Sequence, residues 1–307
     1  MSVERQKVRF VSGDAECAAW HYPGTNGGCV IMAGGFAVTK EPGTDQFAKR
    51  FNDAGFGVLA FDYRRMGESG GQPRQVARIT DQLDDWQAAI DFARTLPGVD
   101  PARLAVWGFS ASGGHIFGVA ARNPELAAAI AQTPNADGPA AARNATRHQK
   151  PVAMLRFLGR GVLDVFGGLV GRRPLLVPLV GPPGTVALLT TPDAQDTDRA
   201  LRSDRYPDWQ QAVAARSALL LGWYRPGRHA RRVQCPLLVV VCDQDQSALA
   251  GPAVRAATRA PSGELVQLAG GHYAPFLSAH ERAVEAEVSF LLRHLVDRAD
   301  RPAAALR

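Results

Sequence analysis

Short apolar runs alternate with helix-length amphipathic segments along the first part of the chain, and this alternation narrows the fold more than any other feature. Residues 29–32, 56–61, 104–107 and 127–131 read as buried strands, bounded by turn residues and too short for helices. Between them lie helical segments at 45–54, 79–95 and 112–121. The second is the clearest, with Ile79, Leu83, Trp86, Ile90 and Ala93 on one face and the charges on the other. Pro97-Gly98 and Asp100-Pro101 then mark turns. Strands and helices in such succession imply parallel βαβ units with right-handed crossovers, hence a mostly parallel α/β sheet with helices on both faces.

The alternation stops at 135. Residues 135–233 are rich in glycine, proline and arginine and show no convincing strand. Residues 154–169 place Met154, Leu155, Leu158, Val162, Val165, Phe166 and Leu169 at helical spacing, with Arg156, Arg160 and Asp164 facing elsewhere. Residues 210–224 form a second helical candidate. These apolar stripes are explained by packing within the insertion or, in part, by lining a substrate pocket. The pattern resumes with a strand at 236–242, a helix at 251–260, a short strand at 265–268 and a closing helix at 280–296. The reading is one α/β core, residues 1–134 and 234–307, carrying a helical insertion at 135–233. Residues 301–307 read as a frayed tail.

The 307 residues suffice for a core of this kind with a sizeable insertion. Hydrophobic residues at 46% and charged residues at 21% allow a core that needs neither disulfides nor metal. The opening MSVERQKVRF lacks the apolar segment of a signal peptide, and no apolar run nears the roughly 18 residues of a membrane span. The cytoplasm is the expected location, with no membrane partner. Cys17, Cys29, Cys235 and Cys242 are scattered, and two of them fall in strand runs where cysteine serves as a small hydrophobe. No metal or other cofactor is implied. The formal charge is +6, but the arginines that supply it are dispersed and no stacking aromatics accompany them, so nucleic acid is not an expected partner.

Chemistry enters at Gly108-Phe109-Ser110-Ala111-Ser112-Gly113-Gly114, between a strand and a helix. A serine on so sharp a turn is held in a strained conformation, and the residues two before and two after it must be small. Gly108 and Ser112 meet that need, although Ser112 stands where glycine is usual. Ser110 would then sit near helix N-terminal N–H groups that favour an anion. The bland alternative is an ordinary βα turn with a capping serine. The N–H of Ala111 is one candidate oxyanion donor. The N–H of Phe36, in the glycine turn after the first strand, is the second.

A serine hydroxyl needs a base. Among seven histidines, His115 is carried away from the site by its helix, and His280 and His294 fall in the last helix. His21, His148 and His229 lie before the core strands or inside the insertion. His272 occupies Ala269-Gly270-Gly271-His272-Tyr273, a loop between the last strand and the last helix that opens at the same sheet edge as the serine turn. An acid must orient that imidazole. Asp243 and Asp245, both following the strand at 236–242, qualify equally.

These segments resemble an α/β-hydrolase over nearly the whole chain, and within it the branch of dienelactone-hydrolase-like enzymes and fungal polyketide transferases. The resemblance rests on IMAGGFAVTKEPG, GFGVLAFDYRRMGESGGQPRQ, LPGVDPARLAVWGFSASGGH, VVVCDQDQSALA and AGGHYAPF. It implies that Asp245 is the acid, giving the chain order Ser110, Asp245, His272. It also implies that Asp62, Tyr63, Arg64, Gly67 and Ser69 shape the floor of the site without taking part. Relatives commonly carry His-Gly-Phe where this chain has Gly34-Gly35-Phe36, so a backbone donor stays while a side-chain support is lost. The insertion falls where such folds carry a variable cap. The expected function is hydrolysis of a small-molecule ester, thioester or lactone with a medium-sized apolar group held by Phe36, Phe157 and Phe166. Acyl transfer to an alcohol or amine is the second reading, and a non-catalytic receptor the third. The oligomeric state stays open, a homodimer included.

Overall fold

The computed structural model describes residues 5–296, so the tail at 301–307 lies outside it. The runs read as strands lie side by side. Eight strands form the central sheet: β1 (Gln6–Ser12), β2 (Ala15–Tyr22), β3 (Cys29–Ala33), β4 (Gly57–Phe61), β5 (Leu104–Phe109), β6 (Ala128–Gln132), β9 (Leu237–Cys242) and β10 (Gly263–Leu268), in the order β1-β2-β4-β3-β5-β6-β9-β10. Two more, β7 (Leu176–Pro178) and β8 (Ala212–Ala214), pair separately in the insertion. Every neighbour pair from β4 to β10 is parallel, whereas β1 and β2 run antiparallel. The strands β3, β4, β5, β6 and β9 are buried at every residue, as a sheet covered on both faces requires.

Helices α1 (Thr44–Asp53), α2 (Ile79–Ala93), α3 (Ala111–Arg122), α8 (Ala250–Arg259) and α9 (His280–Leu291) surround that sheet. Successive residues of β5 show how. Trp107 packs on Phe47 of α1 and donates its indole N–H to Glu287 of α9 (3.0 Å), while Gly108 on the opposite face lies beneath Ser112 of α3. Among the described residues, no helix is long and apolar enough to cross a membrane.

The N-terminal hairpin was not anticipated. Ser12 pairs with Ala15, leaving Gly13-Asp14 as a two-residue loop, and β1 alternates inward Phe10 and Ser12 with outward Lys7 and Arg9. Exposed Val11 blurs that alternation in the sequence.

The insertion departs further from expectation. It holds α4 (Gly138–Ala145), α5 (Pro151–Leu169), α6 (Thr197–Leu201) and α7 (Ala215–Leu221), together with β7 and β8. The helix expected over 210–224 is therefore cut short, its first residues pairing as a strand. Helix α5 forms, but most of its apolar stripe does not pack within the insertion: Leu155, Leu158, Val162, Val165, Phe166 and Leu169 are exposed, whereas Met154 is half-buried and Ala153, Gly161 and Asp164 are buried. The helix approaches α7 along its small side, where a Cβ on Gly161 would overlap Leu219. Asp164 can be buried because its carboxylate accepts the N–H groups of Leu175 (2.7 Å) and Arg216 (3.0 Å).

Candidate active site

Strand β5 ends at Phe109 and α3 begins at Ala111, so Ser110 alone turns the chain. Its backbone sits at φ 57° and ψ −115°, a sparsely populated region that costs a residue with a side chain about 1–3 kcal/mol. Neighbouring backbone holds it there. The Ser110 N–H donates to the Gln132 carbonyl (3.0 Å), and the Ser110 carbonyl accepts from Gly114 and Asn135 (2.9 Å each). A Cβ on Gly108 would come within 2.5 Å of the Ser112 carbonyl, so strand and helix meet this closely only over glycine.

The loops after β9 and β10 bring two further side chains to this serine. His272 Nε2 lies 3.0 Å from Ser110 Oγ, and Nδ1 lies 2.7 Å from Asp245 Oδ2. The other Asp245 oxygen accepts the N–H groups of Ser247 (2.9 Å) and Ala248 (2.7 Å). Asp243 is exposed, and its carboxylate accepts the Gly270 N–H (2.9 Å). His272 and Asp245 are both buried, and the ring centroids of Phe109 and Tyr273 stand 5.1 and 5.0 Å from the imidazole. Burial alone would pull His272 below its ordinary 6.5. The charge and hydrogen bond of Asp245, joined by the charge of Asp193, outweigh it and raise the imidazole instead. His115 behaves oppositely: fully buried between Tyr224 and Gln82, it is pushed down to about 3 and stays neutral. Burial pushes the Cys29 and Cys242 thiols up to about 12, so neither supplies a thiolate at neutral pH.

The glycine turn after β3 packs against the same serine. A Cβ on Gly35 would lie 3.4 Å from that of Ser110. The turn is fastened from two sides: the Ser112 hydroxyl donates to the Gly34 carbonyl, and the Trp209 indole of the insertion donates to the Ala37 carbonyl (2.9 Å). Asp62, expected to shape the floor, accepts the N–H of Lys40 (2.7 Å) and pairs with its ammonium (3.0 Å).

Beneath the insertion lies a cavity of about 490 Å³. Met154, Phe157, Leu189 and Leu219 supply apolar walls, and Asn135, Gln246 and Ser247 bring polar groups from the side of the core. Phe157 faces the cavity. Phe166 is exposed on the outer face of α5, outside the lining, and Phe36 lies buried in the glycine turn. Neither the cavity beneath the insertion nor a depression of about 570 Å³ between α1 and α9 has Ser110, Asp245 or His272 in its lining, but the former reaches Gln246 and Ser247, directly after Asp245. Sequence reasoning missed Asn135, whose buried side-chain oxygen has no hydrogen-bond partner among the described residues. It missed Asp193 too. Nothing in Pro192-Asp193-Ala194-Gln195-Asp196 distinguishes that aspartate from its neighbours.

A family model described as serine aminopeptidase, S33, matches residues 26–272. The quorum-quenching protein AidA of Acinetobacter baumannii is 38% identical over 292 residues, which cover 93% of this chain and 94% of AidA. Polyketide transferase ATR5 of Stachybotrys chlorohalonatus is 30% identical over 182 residues, 59% of this chain and 58% of its own. A thiohydrolase of Eupenicillium brefeldianum is 27% identical over 203 residues, 66% and 60% of the two chains. Among solved structures, the α/β hydrolase GrgF of Penicillium sp. sh18 shares the fold with a TM-score of 0.79 at 23% identity, covering 95% of this chain and 99% of GrgF. With one relative similar over more than nine-tenths of both chains and a family match across most of its length, the chain belongs to the α/β hydrolases, in the family described as serine aminopeptidase, S33.

Proposed function

We propose that the protein is a serine hydrolase that cleaves an ester or thioester of a medium-sized apolar acyl group through an acyl-enzyme on Ser110. The observation that carries this reading is the unbroken hydrogen-bonded series Ser110, His272, Asp245 at the C-terminal ends of three parallel strands. His272 Nε2 takes the Ser110 proton as Oγ attacks the substrate carbonyl. The N–H groups of Ala111 and Phe36 receive the developing oxyanion. His272 then returns the proton to the departing alcohol or thiol, and Asp245 stabilises the transient imidazolium. Water, deprotonated in turn by His272, releases the acid and restores Ser110.

Residues 135–233 serve as the cap, and the cavity beneath it takes the acyl group. Phe157 packs on its apolar part. Asn135 Oδ1 offers an acceptor to a substrate N–H or O–H. Thiohydrolases among the relatives favour a thioester, while the polyketide transferase favours the second reading, in which an alcohol or amine takes the acyl group in place of water.

The test is labelling with a fluorophosphonate alongside turnover of p-nitrophenyl esters. Labelling should fall on Ser110 and vanish in Ser110→Ala and His272→Ala, with losses of roughly 10³-fold or more in kcat. A folded parent that neither labels nor turns over would sink the proposal and bring the receptor reading forward. Product analysis with an added alcohol or amine separates hydrolysis from transfer.

A further inference from the structure

The inserted segment meets the loop after β9 through Asn144, whose side-chain amide donates to the Gln246 carbonyl (2.8 Å), and through Thr191, and one carboxylate of the insertion touches the loops after both β9 and β10. Asp193 lies in a 3₁₀ turn, Pro192–Asp196, far in sequence from either loop it touches. Its Oδ2 accepts the backbone N–H groups of Gln246 (2.8 Å), His272 (3.1 Å) and Ser247 (3.3 Å). Its Oδ1 accepts the Ser247 hydroxyl (3.0 Å), which in turn lies 2.8 Å from the hydroxyl of Thr191. The packing is close: a Cβ on Gly271 would stand 2.7 Å from that of Asp193. One side chain thus grips the residues directly after Asp245 and the backbone of His272 itself.

We infer that Asp193 is a positioning residue that makes the Ser110–His272–Asp245 series depend on the seating of the inserted segment. The inference rests on the serine-hydrolase reading. With the turn in place, the acid and base loops share an anchor and their separation is set. If the turn lifts, the N–H groups of Gln246 and His272 lose their acceptor together, while that of Ser247 keeps Asp245, and the imidazole loses the geometry that points it at Ser110. Misplacement on the ångström scale costs such a site on the order of 10²-fold in rate. The cap would then assemble the site as well as enclose the substrate.

Charge gives the second half of the argument. The carboxylates of Asp245, from the loop after β9, and of Asp193 face His272, together with the rings of Phe109 and Tyr273. Burial pushes the Tyr273 hydroxyl up, so it stays neutral. Asp193 itself stays ionised. Burial opposes this, but the charge of His272 and the N–H groups of Gln246 and His272 hold its carboxyl below the usual range. Removing that charge lets His272 fall toward neutrality at lower pH.

The experiment compares the parent with Asp193→Asn, which keeps the shape without the charge, and with Asp196→Asn in the same turn as a control. Three quantities are read: fluorophosphonate labelling rate, the pH profile of kcat/KM, and the titration of the His272 ring by NMR. Asp193→Asn should lower kcat about tenfold to a hundredfold, change KM little, and move both the acid limb and the NMR midpoint to lower pH. Asp196→Asn should match the parent. If Asp193→Asn does not fold, Asp193→Ser, with a short acceptor and no charge, must show the same shifts. A reactive parent whose Asp193 variant keeps its rate and midpoint overturns the inference. An unreactive parent counts against the serine-hydrolase reading instead, and the NMR midpoint still decides whether Asp193 is coupled to His272.

Discussion

The hydroxyl of Ser112 stands where a nucleophile turn usually has glycine, and its surroundings give it a task. The Trp86 indole donates to the Tyr63 hydroxyl (2.8 Å), Tyr63 pairs with Ser112 (2.6 Å), and Ser112 donates to the Gly34 carbonyl. Each hydroxyl accepts once and donates once, so the series runs in one direction from α2 to the glycine turn beside Ser110. It supports that turn from within. Ser112→Ala should leave the buried Tyr63 O–H without its acceptor, at a cost of about 1–3 kcal/mol. Denaturant unfolding measures that loss. Because the glycine turn also loses its fastening, kcat should fall while KM holds; unchanged kcat would mean the turn is held well enough by Trp209. The need for a small residue at 112 could be read from the motif. The partner could not, since Tyr63 and Gly34 approach Ser112 only through the order of strands in the sheet.

At the scale of elements, helix α5 is the informative case. Leu155, Val162, Phe166 and Leu169 face outward and Gly161 faces α7, while Met154, Phe157 and Leu158 line the cavity, so the face that periodicity marks as hydrophobic packs only in part. The two phenylalanines then part company. Phe157→Ala should raise KM for an apolar acyl substrate, because that ring lines the cavity. Phe166→Ser should leave turnover unaffected and stability within about 0.5 kcal/mol, as for an exposed substitution without partners. Steady-state kinetics on the pair checks both, and an equal effect of the two would place the substrate elsewhere. The contrast also explains which elements the sequence disclosed. The strands β3 to β6 and β9 are covered on both faces, which writes an unbroken apolar run into each. Strand β1 sits at a sheet edge with one wet face, and β7 and β8 have three residues each, too few to carry a period. The side of α5 that packs was decided by Gly161 and Asp164, whose burial depends on Leu219, Leu175 and Arg216, and helical spacing contains none of those contacts.

Among the buried titratable groups, His115 and Glu287 tie the whole molecule's stability to pH in opposite directions. His115 joins α3 to Gln82 of α2 and to Tyr224, and is held neutral down to about 3. Between that value and the ordinary 6.5 the unfolded chain binds a proton that the folded chain refuses, so stability falls as pH falls through this window. Glu287 works in reverse. It spans from α9 to Trp107 on β5, is fully buried, and is held well above 4.5 by burial, against the opposing Trp107 hydrogen bond. Above 4.5 the folded state keeps a proton that the unfolded state has released, so stability falls as pH rises, until the folded carboxyl also ionises. Glu287→Gln retains an acceptor for the Trp107 indole and removes the titration. The variant should therefore gain on the parent as pH climbs from 4.5, and the downward slope of its Tm on the alkaline side should be shallower. The fall on the acid side, to which His115 contributes, should remain. Melting both proteins from pH 4 to 9 tests this. Parallel Tm curves would show that Glu287 ionises without penalty, and that α9 opens enough to let water reach the back of the strand that presents Ser110.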